Sequence, residues 1–226
     1  MAVRRSVHGL PVLFGDDMSG TSSSQRWDAS YHDGQWDYLL SPGEMAHYSA
    51  VAGYVRCYCS SGLILDLGCG EGVLLRYLHP DCITEYAGVD FSATALGRSR
   101  FASESVRFYC ADVELFEPSR IGYDVVVFNE ILYLLRDPVG TLKRYCECLK
   151  QGGVLIISMY THRRGSARAV QVVDLWKTIF SAFKTVEETI VVHTRSGRAW
   201  RIAVLRPVGF DALPSRQSTC ELDPNC

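Results

Sequence analysis

The first candidate for chemistry is a glycine-rich segment at residues 65–72, which reads LDLGCGEG. A short apolar run, 63–67, leads into it, and apolar residues at helical spacing follow over 72–78. Glycines at such a junction permit a tight turn from strand to helix and let a ligand approach the backbone closely. The residues expected to line this binding loop are Gly68, Cys69 and Gly70.

Acidic residues around the loop indicate which ligand it suits. Asp90 ends the next predicted strand, 20 residues after Gly70, where a carboxylate can accept hydrogen bonds from both hydroxyls of a ribose. Asp66 and Glu71 would repel a pyrophosphate, since a like-charge contact at about 4 Å costs roughly 4 kcal/mol at an effective dielectric of about 20. The same carboxylates suit a ligand with an ammonium and a sulfonium. S-adenosylmethionine carries both groups and has no phosphate, so the residues favour it over a nicotinamide dinucleotide.

Apolar runs and helical patterns alternate along the chain, which predicts βαβ units and a parallel sheet covered on both faces. The predicted helices are 72–78, 93–103, 138–149 and 167–183. Ser92 is expected to cap the second of them, and Gly152-Gly153 are expected to end the third. The predicted strands are 63–67, 86–90, 106–110, 123–128, 154–160, 185–193 and 199–205. The last two form a hairpin across Ser196-Gly197, so one of them must run against the others. The expected fold is α/β: a doubly wound, mostly parallel seven-stranded sheet with an antiparallel C-terminal hairpin strand and helices on both faces.

Composition divides the chain into a body and two polar tails. Residues 1–25 and 208–226 lack periodicity and are expected to be flexible, which leaves a single domain over 26–207. Residues 26–60 mix aromatic and polar side chains and are expected to form a helical lid over the ligand edge of the sheet. Tyr31 and Trp36 are favoured as lid residues that exclude water and contact a sulfonium; the alternative is that they pack onto the core.

The balance of charge and hydropathy excludes several classes of protein. The 226 residues have a formal net charge of -2, which gives no broad positive field for nucleic acid. No apolar run is long enough for a membrane-spanning helix, and Met1–Phe14 lacks the apolar core of a secretory signal. We expect a cytoplasmic protein. The C-x-C pairs among the nine cysteines do not match the usual spacing of structural zinc, so reduced thiols are expected.

Four motifs in order resemble the class I, Rossmann-like S-adenosylmethionine-dependent methyltransferases. They are the glycine loop, GVDFS at 88–92, ADV at 111–113 and LKQGGVL at 149–155, where Gln151 replaces the usual proline. The resemblance covers roughly residues 60–160 and implies S-adenosylmethionine as methyl donor and S-adenosylhomocysteine as product. It assigns the ribose to Asp90, the exocyclic amine of adenine to Asp112, and a backbone contact with adenine to Val113. The cofactor-binding residues it implies are Asp66, Gly68, Cys69, Gly70, Asp90, Phe91, Asp112, Val113 and Asn129.

The segment after the fourth strand, NEILY at 129–133, resembles small-molecule methyltransferases, including nodulation-type N-methyltransferases that act on a sugar amine. The resemblance implies a small or sugar-like acceptor and leaves oxygen and nitrogen both open. Glu130 is the first candidate for a base or proton acceptor; the alternative is an acidic residue that complements a helix N-terminus. Tyr133 lines the acceptor pocket or packs against the sheet.

Further candidates follow the fifth strand. His162 is placed for a general base with a pKa near neutrality, and the alternative is an inert surface histidine. Arg163, Arg164 and Arg168 could hold an anionic group of the acceptor or form a solvated helix start. Arginines near the hairpin turn carry the same two interpretations: Arg195, Arg198 and Arg201. Catechol-type relatives bind a divalent metal, but no Asp-Asn pair follows Tyr160, so we expect no metal.

The sequence therefore predicts a monomeric or homodimeric enzyme that methylates oxygen or nitrogen of a small molecule, such as a sugar, a glycan or a natural-product intermediate. A protein or RNA methyltransferase is the alternative with the same chemistry. A non-catalytic interaction module that retains cofactor binding is an alternative of another class.

Overall fold

The computed structural model describes residues 23–59, 61–101, 103–161 and 166–208. Its strands are β1 Leu63–Leu67, β2 Glu85–Asp90, β3 Val106–Cys110, β4 Tyr123–Asn129, β5 Leu149–Tyr160, β6 Phe183–His193 and β7 Arg198–Pro207. Its α-helices are α1 Ser23–His32, α2 Pro42–Tyr58, α3 Ala93–Gly97, α4 Pro138–Cys146 and α5 Ala167–Ala182. Short 3₁₀ segments lie at Asp37–Leu40, Val73–Tyr77, Pro80–Cys82 and Leu132–Leu134.

The strands form one seven-stranded sheet in the order β3-β2-β1-β4-β5-β7-β6. Strands β1 to β5 are parallel, and β7 runs antiparallel to both β5 and β6. This arrangement confirms the predicted fold class, including the antiparallel hairpin strand. The chain first builds outward to β3 and then returns to β4, so the strand order reverses between β1 and β4. Ligands bind α/β sheets at such a reversal, beyond the carboxyl ends of the strands.

Helices cover the sheet on both faces because successive strand residues point to opposite sides. On one face Val126 and Phe128 belong to a cluster that includes Trp176 of α5. On the other face Val125 and Val127 pack in a cluster with residues of α2. The core therefore fixes the carboxyl ends of β1 and β4 between two packed layers.

Two predicted helices are shorter in the structure. Helix α3 begins as predicted, with Ser92 Oγ accepting from the Ala95 N–H at 3.1 Å, but it ends at Gly97 rather than at residue 103. Helix α4 ends at Cys146 rather than at residue 149. The reason is sheet pairing, because Leu149 already pairs with Tyr123 as the first residue of β5.

The glycine pair that was expected to stop α4 lies inside β5 instead. Gly152 has a φ of 81°, and a Cβ on Gly153 would lie 2.9 Å from the carbonyl oxygen of Tyr123. The pairing of β4 with β5 shifts register at this point. The two glycines therefore accommodate an irregular strand pairing.

The helix predicted after the glycine loop is a 3₁₀ segment, Val73–Tyr77, rather than an α-helix. At the N-terminal end α1 begins at Ser23, so residues 23–25 of the predicted tail are helical. The rest of that tail and residues 209–226 lie outside the described residues. No helix in the described ranges is both long enough and apolar enough to span a membrane.

Candidate active site

The glycine loop has the backbone that its sequence predicts. Gly68, Gly70 and Gly72 have φ values of 72°, 56° and 78°, a region that side chains other than glycine seldom adopt. A Cβ on Gly70 would lie 2.6 Å from the hydroxyl oxygen of Tyr31 on α1. The buried thiol of Cys69 packs toward Gly88, where an added Cβ would lie 2.9 Å from the sulfur. Helix α1 therefore packs directly over the loop.

Asp90 stands at the end of β2 with its carboxylate fixed by two backbone donors. The Gly70 N–H donates to Oδ2 at 2.9 Å, and the Ser92 N–H donates to Oδ1 at 2.9 Å. Each oxygen keeps further acceptor capacity, which suits the two hydroxyls of a ribose. Only 8% of Asp90 is exposed, and burial raises the pKa of its carboxyl to about 6.

Two buried acceptors at the switch point have no hydrogen-bond partner among the described residues. Asp66 Oδ2 accepts from the Tyr86 hydroxyl at 2.5 Å, but Oδ1 of Asp66 has no hydrogen-bond partner, nor has Oδ1 of Asn129. Both residues lie at the carboxyl ends of adjacent strands, on the face that α2 covers. Burial raises the pKa of Asp66 to about 7. Buried acceptors are rarely left unpaired, so these two fit a ligand that brings N–H donors or a cation.

Glu71 forms an ion pair with Arg98, so the expectation that its carboxylate faces a positively charged ligand is wrong. Its Oε2 lies 3.1 Å from Nε of Arg98. The same guanidinium donates to the Tyr31 carbonyl at 2.5 Å and forms an ion pair with Asp37. Arg98 thus ties the glycine loop to the segment around α1, and Asp66 and Asp90 are the carboxylates left to face a cation.

The N-terminal aromatic residues divide into two positions. Tyr31 reaches the glycine loop, whereas Trp36 stacks on Trp27 with ring centroids 4.9 Å apart. Trp27 in turn lies 6.0 Å from the ring of Phe91, next to Asp90. Asp28 holds this layer in place by accepting from the Thr94 N–H at the start of α3, at 2.9 Å. The layer covers the edge of the sheet where β2 ends.

The loop after β3 presents the residues that the resemblance assigns to adenine. Asp112 Oδ1 accepts from the Glu114 N–H at 2.8 Å, which leaves Oδ2 for another donor. The carbonyl of Val113 accepts from Arg144 and Tyr145. Its N–H has no hydrogen-bond partner within the described ranges. A free carboxylate oxygen beside a free N–H matches the amine and ring nitrogen at the edge of adenine.

Glu130 lies just beyond β4 in an unusual conformation. Its φ is 63°, a positive value shared by no other non-glycine residue in the described ranges. The carboxylate accepts from the Tyr133 hydroxyl at 2.9 Å, the Tyr160 N–H at 3.0 Å and the Ser158 hydroxyl at 3.2 Å. Its side chain therefore folds onto the end of β5 and does not cap a helix. Strained backbone of this kind is concentrated at functional sites.

Burial raises the pKa of Glu130 to about 8, although the three hydrogen bonds act in the opposite direction. Of about four lone-pair positions on a carboxylate, the described residues occupy three and leave the fourth, on Oε1, open. Tyr133 is 4% exposed, and the guanidinium of Arg168 lies 5.9 Å from its ring centroid. Tyr133 packs in the core, as one of the two interpretations expected, and its hydroxyl also orients Glu130, while its role in lining an acceptor pocket stays a prediction.

Sequence patterns did not reveal a buried ion pair between α2 and β7. Buried Glu44 on α2 forms an ion pair with Arg198 on β7, and the same guanidinium lies 5.5 Å from the ring centroid of Tyr38. Burial raises the pKa of the Tyr38 hydroxyl, and the charges of Glu44 and Glu130 raise it further. Glu44 and Arg198 are 154 residues apart in sequence, so local patterns could not pair them.

The remaining basic candidates have different outcomes. His162, Arg163 and Arg164 lie outside the described residues and stay predictions. Arg201 pairs with Glu188 at 3.3 Å and Arg198 pairs with Glu44, so both arginines are already engaged by carboxylates. The residues that the structure describes contain no group of three or more His, Cys, Asp or Glu side chains that could hold a metal.

This strand order, with a glycine loop at the switch point and unpaired buried acceptors beside it, is that of the Rossmann-like S-adenosylmethionine-dependent methyltransferases. A family model described as "Methyltransferase domain" matches residues 59–210, and the chain belongs to that family. Solved structures of this fold hold S-adenosylhomocysteine, the product that S-adenosylmethionine leaves after methyl transfer.

Two named relatives match part of the chain. A malonyl-[acyl-carrier protein] O-methyltransferase of Acetivibrio thermocellus is 33% identical over 102 residues, which cover 44% of this chain and 36% of the relative. A ubiquinone biosynthesis O-methyltransferase of Bradyrhizobium sp. is 31% identical over 105 residues, covering 44% and 41% of the two chains. The chain thus spans less than half the length of these two relatives.

Solved structures share the fold over most of the chain. The N-methyltransferase NodS from Bradyrhizobium japonicum, in complex with S-adenosylhomocysteine, has a TM-score of 0.63 at 20% identity, covering 82% of this chain and 97% of NodS. The 1,6-didemethyltoxoflavin-N1-methyltransferase of Burkholderia thailandensis, with 1,6-didemethyltoxoflavin and S-adenosylhomocysteine bound, has a TM-score of 0.63 at 19% identity, covering 81% and 86%. At these identities the likeness concerns the fold alone.

Proposed function

We propose that the protein methylates an oxygen or nitrogen of a small acceptor, a sugar, a glycan or a natural-product intermediate, and that Glu130 accepts the proton the acceptor loses. The observation that carries this proposal is the Glu130 carboxylate, which three donors orient beside the switch point while one lone pair on Oε1 stays free. A base needs this combination of fixed geometry and open acceptor capacity.

The residues at the switch point fit the methyl donor along its length. Asp112 and the Val113 N–H would hold adenine beside Phe91, and Asp90 would hold the ribose hydroxyls. The loop residues Gly68, Cys69 and Gly70 bring the backbone close to the ligand. Asp66 Oδ1 and Asn129 Oδ1, which are buried without partners, would accept from the ammonium of the methionine part. When bound, S-adenosylmethionine supplies a methyl group already activated on a sulfonium.

The acceptor supplies the electron pair for the new bond. Its O–H or N–H donates to Oε1 of Glu130, which aligns the nucleophile. The acceptor lone pair would bond to the methyl carbon of bound S-adenosylmethionine as the carbon–sulfur bond breaks, which would leave that electron pair on sulfur. The proton of the acceptor would pass to Glu130 and from there to solvent. Tyr133 keeps the carboxylate in place, and His162 is the second candidate for the base.

Groups near Glu130 support a small acceptor. The Tyr160 N–H donates to its carboxylate, and Tyr38, whose pKa the charge of Glu130 raises, lies against the Arg198 guanidinium. Because Arg198 is paired with Glu44, an anionic acceptor would have to depend on other arginines, such as Arg168, whose guanidinium lies 5.9 Å from the ring centroid of Tyr133.

The test measures S-adenosylhomocysteine release in the presence of candidate acceptors. The candidates are sugars and aromatic compounds, each supplied in an amine form and in an alcohol form. Glu130→Gln should bind the cofactor normally and turn over about 100-fold more slowly, the lower end of general-base effects. Glu147→Gln, at an exposed site beyond α4, is the matched control and should behave as wild type. Wild-type turnover by Glu130→Gln would remove Glu130 as the base, and His162→Ala would then identify or exclude the second candidate.

A further inference from the structure

Two adjacent side chains of α4 hold the loop that follows β3. Arg144 donates through Nη1 to the Phe116 carbonyl at 2.7 Å and through Nη2 to the Val113 carbonyl at 2.7 Å. The Tyr145 hydroxyl lies 2.9 Å from the Val113 carbonyl and 3.2 Å from that of Phe116. The planar fork of arginine can reach two carbonyls at once, which a lysine ammonium on a flexible stem matches poorly.

These contacts lie in a largely dry environment. Tyr145 is fully buried, Val113 is buried, and the Arg144 guanidinium lies 4.6 Å from the ring centroid of Tyr145. Hydrogen bonds from a charged donor are strong, and a low dielectric strengthens them further. The guanidinium is therefore a rigid support for the loop rather than a solvated surface charge.

The loop holds α4 in return. Oε1 of Glu114 accepts from the Arg136 N–H at 3.0 Å and from the Asp137 N–H at 2.9 Å. Those two residues immediately precede α4, and Asp137 caps the helix by accepting from the Gly140 N–H at 2.9 Å. Glu114, Arg144 and Tyr145 thus link the two segments in both directions, and we name these three residues the reciprocal clamp.

We infer that the reciprocal clamp positions residues 112–113 for recognition of the adenine base and so sets the nucleobase specificity of the enzyme. With its carbonyl occupied by Arg144 and Tyr145, Val113 offers only its N–H to a ligand, and Asp112 offers a carboxylate oxygen. That pair of groups accepts the exocyclic amine and donates to a ring nitrogen of adenine. Hypoxanthine places a carbonyl and an N–H at the same positions, where both would be repelled. This inference rests on the adenine contacts proposed above for Asp112 and Val113.

Calorimetric binding of two probes, S-adenosylhomocysteine and its deaminated analogue S-inosylhomocysteine, tests the clamp without any methyl acceptor. Arg144→Met should weaken S-adenosylhomocysteine binding about tenfold, the scale of one charged hydrogen bond. Binding of the inosine analogue should change little, so the preference for adenine falls. Arg144→Lys should restore only part of that preference, and Lys143→Met on the same helix should leave it unchanged.

A purely structural role would weaken both probes equally, so the ratio of the two affinities is the deciding quantity. Tyr145→Phe removes one donor and no packing volume, and should lower the ratio even if Arg144→Met fails to fold. Unchanged ratios in both variants would overturn the inference. Asp112→Ala tests the adenine contact separately from the reciprocal clamp. If this variant loses the preference for adenine and the clamp variants keep it, only the role of the clamp is refuted. An unchanged preference in Asp112→Ala refutes the adenine assignment and the clamp with it.

Discussion

The backbone N–H of Gly70 donates to Oδ2 of Asp90 across 2.9 Å, so the glycine loop and the ribose carboxylate form one unit. Tyr31 packs against this unit, since a Cβ added to Gly70 would lie 2.6 Å from the hydroxyl oxygen of Tyr31. The loop geometry, the carboxylate and the N-terminal helix therefore depend on one another.

Replacing Gly70 with alanine should disrupt that unit. An alanine at a φ of 56° is strained by roughly 1–3 kcal/mol, and its methyl group would displace Tyr31. We expect S-adenosylhomocysteine to bind at least about tenfold more weakly, measured by calorimetry. Gly97→Ala is the control, because nothing lies within 4 Å of the added Cβ and alanine favours a helix. Equal affinities for the two variants would contradict the role given to Gly70.

Cofactor binding should strengthen as the pH rises. Burial raises the pKa of Asp90 to about 6 and that of Asp66 to about 7, so both carboxyls take up protons as the pH falls through this range. Their charged forms are the ones that suit an ammonium and a sulfonium. The dissociation constant of S-adenosylmethionine, measured between pH 5 and pH 8.5, should therefore fall with rising pH. Asp66→Asn should flatten the profile, and a profile that stays equally steep in that variant would remove Asp66 from the ligand contacts.

The same shifts affect the free enzyme in the opposite direction. A carboxyl whose folded-state pKa is raised binds more protons when folded, so its contribution to stability is lost as the pH rises through that pKa. The contributions of Asp66 and Asp90 to the stability of the free protein should fall as the pH rises from 3.8, their ordinary pKa, and should be fully lost above about pH 6 to 7, which thermal unfolding measures. Added S-adenosylmethionine should then raise the unfolding temperature more at pH 8 than at pH 5.5. A ligand-induced increase that is independent of pH would contradict this linkage.

Turnover should depend on the ionisation of Glu130. Burial raises the pKa of that carboxyl to about 8, so kcat should increase with pH up to about that value in the presence of an accepted substrate. Tyr133→Phe removes a donor that lowers the pKa, and should move the rising limb to higher pH. Tyr54→Phe, which removes only the 2.6 Å hydrogen bond to Thr189, should leave the limb in place. A Tyr133→Phe profile identical to that of the wild type would show that Glu130 is not the titrating base.

Sequence patterns predicted what is local and periodic. The alternation of apolar runs predicted all seven strands. The glycine loop and Asp90 were singled out because they lie where strands end, and Asp112 was singled out through the family resemblance. Patterns failed where tertiary contacts decide. Arg98 neutralises Glu71, and Arg198 pairs with Glu44, through packing between segments distant in sequence. The end of α4 was misplaced because pairing of Leu149 with Tyr123 outweighs the helical pattern. The positive φ of Glu130 could not be predicted, because glycine is the usual sequence signal for a positive φ and this residue is a glutamate.

Asp124, at the opposite end of the sheet from the active site, should be a determinant of stability and not of catalysis. Its fully buried carboxylate accepts from the Leu63 N–H at 2.9 Å and the Ser61 hydroxyl at 2.6 Å, and Lys150 forms an ion pair with it. Burial would raise its pKa, but these partners together lower it to about 2. The resulting stability is present above the unfolded-state pKa of 3.8 and is lost as the pH falls from there toward 2. Asp124→Asn should cost roughly 1–3 kcal/mol, because it removes the ion pair with the partly exposed Lys150 and weakens the hydrogen bonds at a buried position. Urea unfolding measures this cost, with Asp174→Asn as the control, since its pair with Lys177 is exposed and should contribute less than about 1 kcal/mol. Folded Asp124→Asn protein should bind S-adenosylhomocysteine normally, whereas weakened binding would place Asp124 in communication with the site.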